Sequence, residues 1–132
     1  MSGDNDAVDW RKLREFAGVD LASSFVLTWY FESDTLFVDC DILLQPEHAF
    51  YEKPRPAEKV CIRPAIIEFP FCTGVSLVGA PGSDDIRQLV SRLGHGAITG
   101  MRRRAGGRYE LGGEFGTVII VAERPVLRLK GP

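Results

Sequence analysis

From Phe25 to Ile42, large apolar residues recur at every second position, and the one interruption is Ser33-Asp34. A period of two is the mark of a half-buried strand, because successive side chains leave opposite faces. The pattern predicts strands over Ser24–Glu32 and Thr35–Leu44, joined by a two-residue turn. Such a turn pairs Glu32 with Thr35, Tyr30 with Phe37, Thr28 with Asp39 and Val26 with Asp41. One face then holds Phe25, Leu27, Trp29, Phe31, Leu36, Val38, Cys40 and Ile42, an apolar set expected to be core. The other holds Val26, Thr28, Tyr30, Glu32, Thr35, Phe37, Asp39, Asp41 and Leu43, which suits solvent or a cavity wall.

Asp39 and Asp41 stand two apart on that strand, so their carboxylates share a direction with Cα atoms roughly 7 Å apart. The spacing could divide acid and base roles, as in glycosidases, or share a cation. Calcium and magnesium want more oxygens than two, and no DxDxDG loop is present. The plainer expectation is a solvated face whose charges discourage edge pairing. Between these stands a shallow cleft where the acids meet arginines of the basic half.

The remaining segments read as a β-rich domain. Asp9 can cap a short helix over Trp10–Phe16, with Trp10, Leu13 and Phe16 or Ala17 inward and Gly18 as its stop. Residues 1–8 are expected to fray, leaving one domain over 9–131. Gln45–Glu58, with Pro46, Pro54 and Pro56, reads as a long shaped loop. Lys59–Phe69 is strand-like, and Pro64 within it suggests an edge or a bulge. After a shorter strand at Cys72–Val78, Ser83 can cap a helix reaching Leu93 on the stripe Ile86, Leu89, Val90 and Leu93. Short strands over Ala97–Arg104, Arg108–Leu111, Gly116–Ala122 and Val126–Lys130 follow, punctuated by glycine turns. The expected fold is mainly β, an antiparallel sandwich or small barrel with a short N-terminal helix and one further helix near residues 83–93.

Composition narrows the class. The chain has 132 residues, 45% hydrophobic and 26% charged, enough for one domain with a real core. No stretch approaches a membrane span, and the acidic start lacks the pattern of a signal peptide, so a cytoplasmic location is expected. Cys40, Cys61 and Cys72 show no CxxC spacing and are expected to be buried free thiols rather than disulfides or metal ligands. The net charge of −2 divides unevenly: residues 1–86 carry 15 acids and 7 bases, residues 87–132 carry 3 acids and 9 bases. That polarity can bias partner choice.

Other chemical motifs are weak. His48 and His95 each stand alone, with no HExxH, and are expected as surface or capping residues. The basic run at Arg102, Arg103 and Arg104, with Arg108, could meet phosphate, but the strand period splits the triplet and only Tyr109 is nearby as a stacking ring. The glycines at 106, 107, 112, 113 and 116 follow no GxGxxG pattern, and no GxSxG elbow is present.

The stretch Arg108–Leu129, with its turn glycines and alternating strands, resembles the C-terminal hairpins of small, uncharacterised bacterial β-rich proteins. The resemblance implies a bacterial cytoplasmic protein and carries no enzymatic role.

Three functional expectations follow. The first is a non-catalytic binding or protein-interaction domain, with a protein partner or a second copy docking on Tyr30, Phe37, Asp39 and Asp41. The second is a small β-barrel ligand carrier or enzyme, taking a small molecule in a cleft with Asp39, Asp41 and either His48 or His95. Nucleic-acid binding through the Arg102–Arg108 region ranks third. No cofactor and no metal is expected.

Overall fold

In a computed structural model that describes residues 7–54, 56–82 and 85–130, the chain is an antiparallel β structure. Its strands are β1 (Val8–Asp9), β2 (Val19–Glu32), β3 (Thr35–Leu44), β4 (Cys61–Phe69), β5 (Gly74–Leu77), β6 (Gly96–Arg104), β7 (Arg108–Gly113), β8 (Gly116–Val121) and β9 (Val126–Leu129). One short helix, α1 (Ile86–Ser91), lies between β5 and β6. The hydrogen-bonded order is β5-β8-β7-β6-β2-β3-β4-β9, with β1 beside β6. The sheet does not close: β5 and β9 are its ends, as in a sandwich or open barrel. Among the described residues, the backbone pairing that joins its two halves is that of Phe25 and Val26 with Ala97 and Gly96.

The inward faces of the halves make one core. Leu36, Val38, Cys40, Ile42 and Leu44 of β3 alternate inward without exception, and Tyr109, Leu111, Val118 and Ile120 come from β7 and β8. Phe69 of β4 meets Tyr109 of β7 edge-on at 5.6 Å, which joins the two layers directly. Trp29 meets Phe115 in the same manner at 5.3 Å, and its indole N–H donates to Gly94 O at 2.7 Å.

The β2–β3 turn is the predicted one. Ser33 and Asp34 have φ of 51° and 60°, the two positive values that match a tight turn to strand twist. Glu32–Thr35, Tyr30–Phe37 and Thr28–Asp39 are paired as expected. Beyond Thr28 the expectation fails. Val26 faces Cys40 instead of Asp41, and Phe25 faces Asp41, because Leu27 is an extra residue in the ladder. A bulge of one residue reverses the inside–outside parity beyond it, here as far as the second register shift between Asp20 and Phe25. Val26 is therefore 1% exposed, whereas Phe25 and Leu27, expected in the core, are 45% and 48% exposed. Phe31, near the turn, is half-buried against the core.

Three further expectations need correction. Trp10–Phe16 is not one α-helix but two 3₁₀ turns, Trp10–Lys12 and Arg14–Phe16, with Leu13 extended between them. The buried residues Trp10, Leu13 and Phe16 are three apart, the period of a 3₁₀ helix rather than 3.6. Asp9 caps as expected, accepting from the Arg11 amide. Pro64 is not on an edge strand, since β4 lies between β3 and β9. Pro64 O accepts from Lys130 N just past the end of β9, so the donor proline lacks would point where the ladder has stopped. Residues 1–6 of the segment expected to fray lie outside the described residues, but Val8 pairs with Arg103 in β1. The expected cap Ser83 also lies outside the described residues. Asp85 caps α1 through the Arg87 amide, and Leu89 and Val90 are its buried residues.

Candidate functional site

The face of β2–β3–β4–β9 that turns away from the core gathers four of the residues singled out from the sequence, Tyr30, Phe37, Asp39 and Asp41. Its rungs can be read from the register. Tyr30, Phe37, Glu68 and Val126 form one, and Thr28, Asp39, Ile66 and Arg128 form the next. Phe25, Asp41 and Pro64 form a third, and Leu43 and Ile62 begin a fourth. Tyr30 and Phe37 stack at 4.7 Å with their rings 9° from parallel. This contact between cross-strand rings packs the end of the face nearest the β2–β3 turn.

Large apolar groups on this face meet solvent. Tyr30 is 39% exposed, Ile62 38% and Val126 42%, alongside Phe25 and Leu27. Single exposed apolar residues are ordinary, whereas several on one sheet face, interleaved here with two ion pairs, are not. Of the two sheet halves, this outer face is the apolar one. On the outer face of β6–β7 the rungs are Arg102–Glu110 and Arg104–Arg108.

Charge on the apolar face is organised by the C-terminal strand. Arg128 Nε pairs with Glu68 Oε2, and Lys130 Nζ lies 2.6 Å from Asp39 Oδ1, an oxygen otherwise sealed from solvent. Each cation reaches one rung toward the β2–β3 turn. The hydrogen bond to Asp39 holds the Lys130 ammonium above its ordinary pKa. The acidic front of the chain and its basic end thus meet here, through a lysine rather than the expected arginine. Asp41 has no ion-pair partner among the described residues and sits beside exposed Phe25.

The two aspartates therefore share a face but not a state. One is paired, and one is open. Neither histidine joins them. His48 Nδ1 accepts from the Phe50 amide at 3.0 Å, a capping role within its own loop. His95 is exposed between α1 and β6. Cys40, directly beneath the pair, is buried; desolvation first and the Asp39 charge second push its thiol up to about 12. No group of three histidine, cysteine or acidic residues is placed to hold a metal among the described residues.

The arginine run is brought together around an acid. Glu110 accepts from Arg104 Nη1 at 2.9 Å and from Arg102 Nε at 3.3 Å. The Arg104 hydrogen bond leads in holding its carboxyl below the ordinary range, burial opposes it, and the Arg102 charge adds to the lowering. Arg108 is exposed opposite Arg104, and Arg103 falls on the other face with Tyr109. Tyr109 is 1% exposed, so the one ring near the arginine run in sequence lies in the core and offers no platform for a base.

Compared with known families, curated proteins and solved structures, the chain matches none. The face must be read from its own residues. Sequence reasoning missed Phe25, Ile62, Val126, Arg128 and Lys130 on it. A signal was present for β9, where alternation of Val126, Arg128 and Lys130 marks one strand face. Phe25 gave no such signal, because the bulge that turns it outward is not encoded by a glycine or proline.

Proposed function

We propose that this chain is a non-catalytic protein-interaction domain that docks a protein partner on the outer face of β2–β3–β4–β9. One observation carries the reading: Phe25, Tyr30, Phe37, Ile62 and Val126 share a single sheet face, four of them 38–45% exposed, around a stacked aromatic pair. Rigid aromatics embedded in apolar surface are the groups that dominate protein–protein binding energy. The Asp39–Lys130 and Glu68–Arg128 pairs lie within this face, and Asp41 offers a partner one charge to recognise. Charge of this kind sets orientation and selectivity more than affinity.

The setting of the reading is a bacterial cytoplasm. Free, buried Cys40, Cys61 and Cys72 support a reducing compartment. Among the described residues no helix is long and apolar enough to cross a membrane.

The test uses sedimentation equilibrium and crosslinking of the whole chain beside Phe25→Asp and Val126→Asp variants. A second copy as partner gives a concentration-dependent dimer that both variants abolish. A different partner gives a monomer that retains one protein stoichiometrically, and both variants release it. A monomer whose retained proteins are identical in wild type and variants overturns the reading.

A further inference from the structure

The opposite half of the sheet carries a second feature, independent of the face above. On the outer side of β6–β7–β8 a depression of about 250 Å³ is bordered by Asp9, Thr99, Arg102, Glu110 and Thr117. Its floor is bare backbone, because Gly100 and Gly112 face one another across β6 and β7, and Thr117 stands beside Gly112 on β8. Neither glycine has a positive φ, so neither is demanded by turn geometry. Glycine inside a strand weakens it and marks places where something approaches the backbone closely.

What surrounds that floor is polar. A Cβ on Gly112 would lie 3.3 Å from Thr99 Oγ1 and 3.8 Å from Thr117 Oγ1, and a Cβ on Gly100 would lie 3.8 Å from Trp10 Nε1. Trp10 is 4% exposed, and its indole nitrogen borders the space above Gly100. An indole N–H is a donor only, so a ligand over Gly100 would have to offer it an acceptor. Asp9 spends Oδ1 on the Arg11 amide and guanidinium, which leaves Oδ2 for another donor.

Charge and size decide the kind of ligand. Glu110 is bound by both Arg102 and Arg104, so an anion would have to displace a carboxylate already held by two guanidinium groups. Each charge at the rim is already spent in a pair, Asp9 with Arg11 and Glu110 with Arg102 and Arg104, so no uncompensated acid calls for a cation. A volume of about 250 Å³ falls below the range for drug-sized ligands. Two hydroxyls, an indole N–H, a guanidinium edge and a free carboxylate oxygen form a mixed set of donors and acceptors. Ring hydroxyls, each able to donate and accept, match such a set. The geometry points to this depression as a binding site for one neutral, polyhydroxylated ring, a monosaccharide or cyclic polyol lying over Gly100 and Gly112.

The experiment is a two-dimensional NMR titration of the whole chain with glucose, galactose, mannose, N-acetylglucosamine and myo-inositol, and separately with inorganic phosphate. The expected result is saturable shifts from at least one of the five rings. They centre on the Trp10 indole and the Thr99, Gly100, Gly112 and Thr117 amides, with a Kd on the order of millimolar for so few atoms. Gly112→Val, which fills the floor, should weaken that binding at least about tenfold, and Trp10→Phe should weaken it several-fold. If either variant unfolds, Thr99→Val removes an exposed hydroxyl and should weaken binding without changing the melting temperature. Three results would each overturn the assignment: no response to any ring near its solubility limit, shifts with phosphate alone, or unchanged affinity in the folded variants.

Discussion

Lys130, beyond the end of β9, reaches across β4 to place its ammonium 2.6 Å from Asp39 Oδ1 on β3. The contact ties the chain's last strand to the strand that organises its core, over an oxygen that solvent does not reach. Its dependence on pH follows from the direction of the lysine shift. The hydrogen bond to Asp39 raises the folded pKa above the ordinary 10.5. Stabilisation from the pair is therefore fully present below 10.5 and is lost as pH rises through the folded value. Melting temperatures of wild type and Lys130→Met should differ most at neutral pH, and the gap should close at strongly alkaline pH. A gap that stays constant into that range would mean the lysine contributes through packing alone.

Glu110 has the opposite sign. Its two arginine partners hold the folded carboxyl below 4.5, so the stability it supplies is present above that value and is lost as pH falls through the folded pKa. Glu110→Gln should cost about 1 kcal/mol at neutral pH and close to nothing at strongly acidic pH. Urea titrations at the two pH values check this. A cost that is equal at both would show that the carboxylate charge is not what the arginines hold.

The Leu27 bulge makes neighbouring residues respond in opposite ways. Val26, 1% exposed, should not tolerate aspartate: Val26→Asp buries a charge without a partner and should cost more than about 3 kcal/mol. Phe25→Ser, at a site 45% exposed, should change stability by less than about 1 kcal/mol. Unfolding by urea distinguishes the two at once. Unbroken alternation from Trp29 would give the reverse ranking.

That reversal shows where the sequence stops being legible. β3 was readable residue by residue, because a buried strand with one wet face imposes its period on every side chain from Leu36 to Leu44. The turn was readable because two residues separate the apolar runs. The bulge was not, since Phe25, Val26 and Leu27 are all apolar and either parity satisfies local preference. Nor was the Trp10 segment, where spacings of three fit a 3₁₀ turn as well as an α-helix. The site divided the same way. Asp39 and Asp41 were placed on one face from sequence, but the lysine that distinguishes them comes from a strand about ninety residues later. Long-range pairing leaves no local trace.

Cys40 offers a test of the core itself. Burial, reinforced by the neighbouring Asp39 charge, raises its thiol to about 12, so almost no thiolate is present in the folded protein at mildly alkaline pH. Cys61 and Cys72 are also buried and free. Labelling of Cys40 by a disulfide reagent should occur only through opening of the β2–β3–β4 core, and should accelerate in Val26→Asp as its lost stability raises the open population. Rapid labelling of Cys40 in the folded wild type would contradict the packing of β3 against the second layer.

The turn at Ser33-Asp34 is held in left-handed geometry by two residues that carry a Cβ. Such φ values are strained for most side chains, and asparagine followed by glycine adopts them most readily. The neighbouring constraint is a backbone one, because Asp34 O accepts from the Cys72 amide at 2.7 Å whatever side chain the residue carries. Ser33→Asn with Asp34→Gly should therefore keep the ladder and that contact while relieving strain. The glycine also enlarges the unfolded ensemble, which offsets part of the gain. The double variant should raise stability by about 0.5–1 kcal/mol, seen as a higher urea midpoint at unchanged slope. A lower midpoint would show that the Asp34 side chain contributes more than its conformation costs.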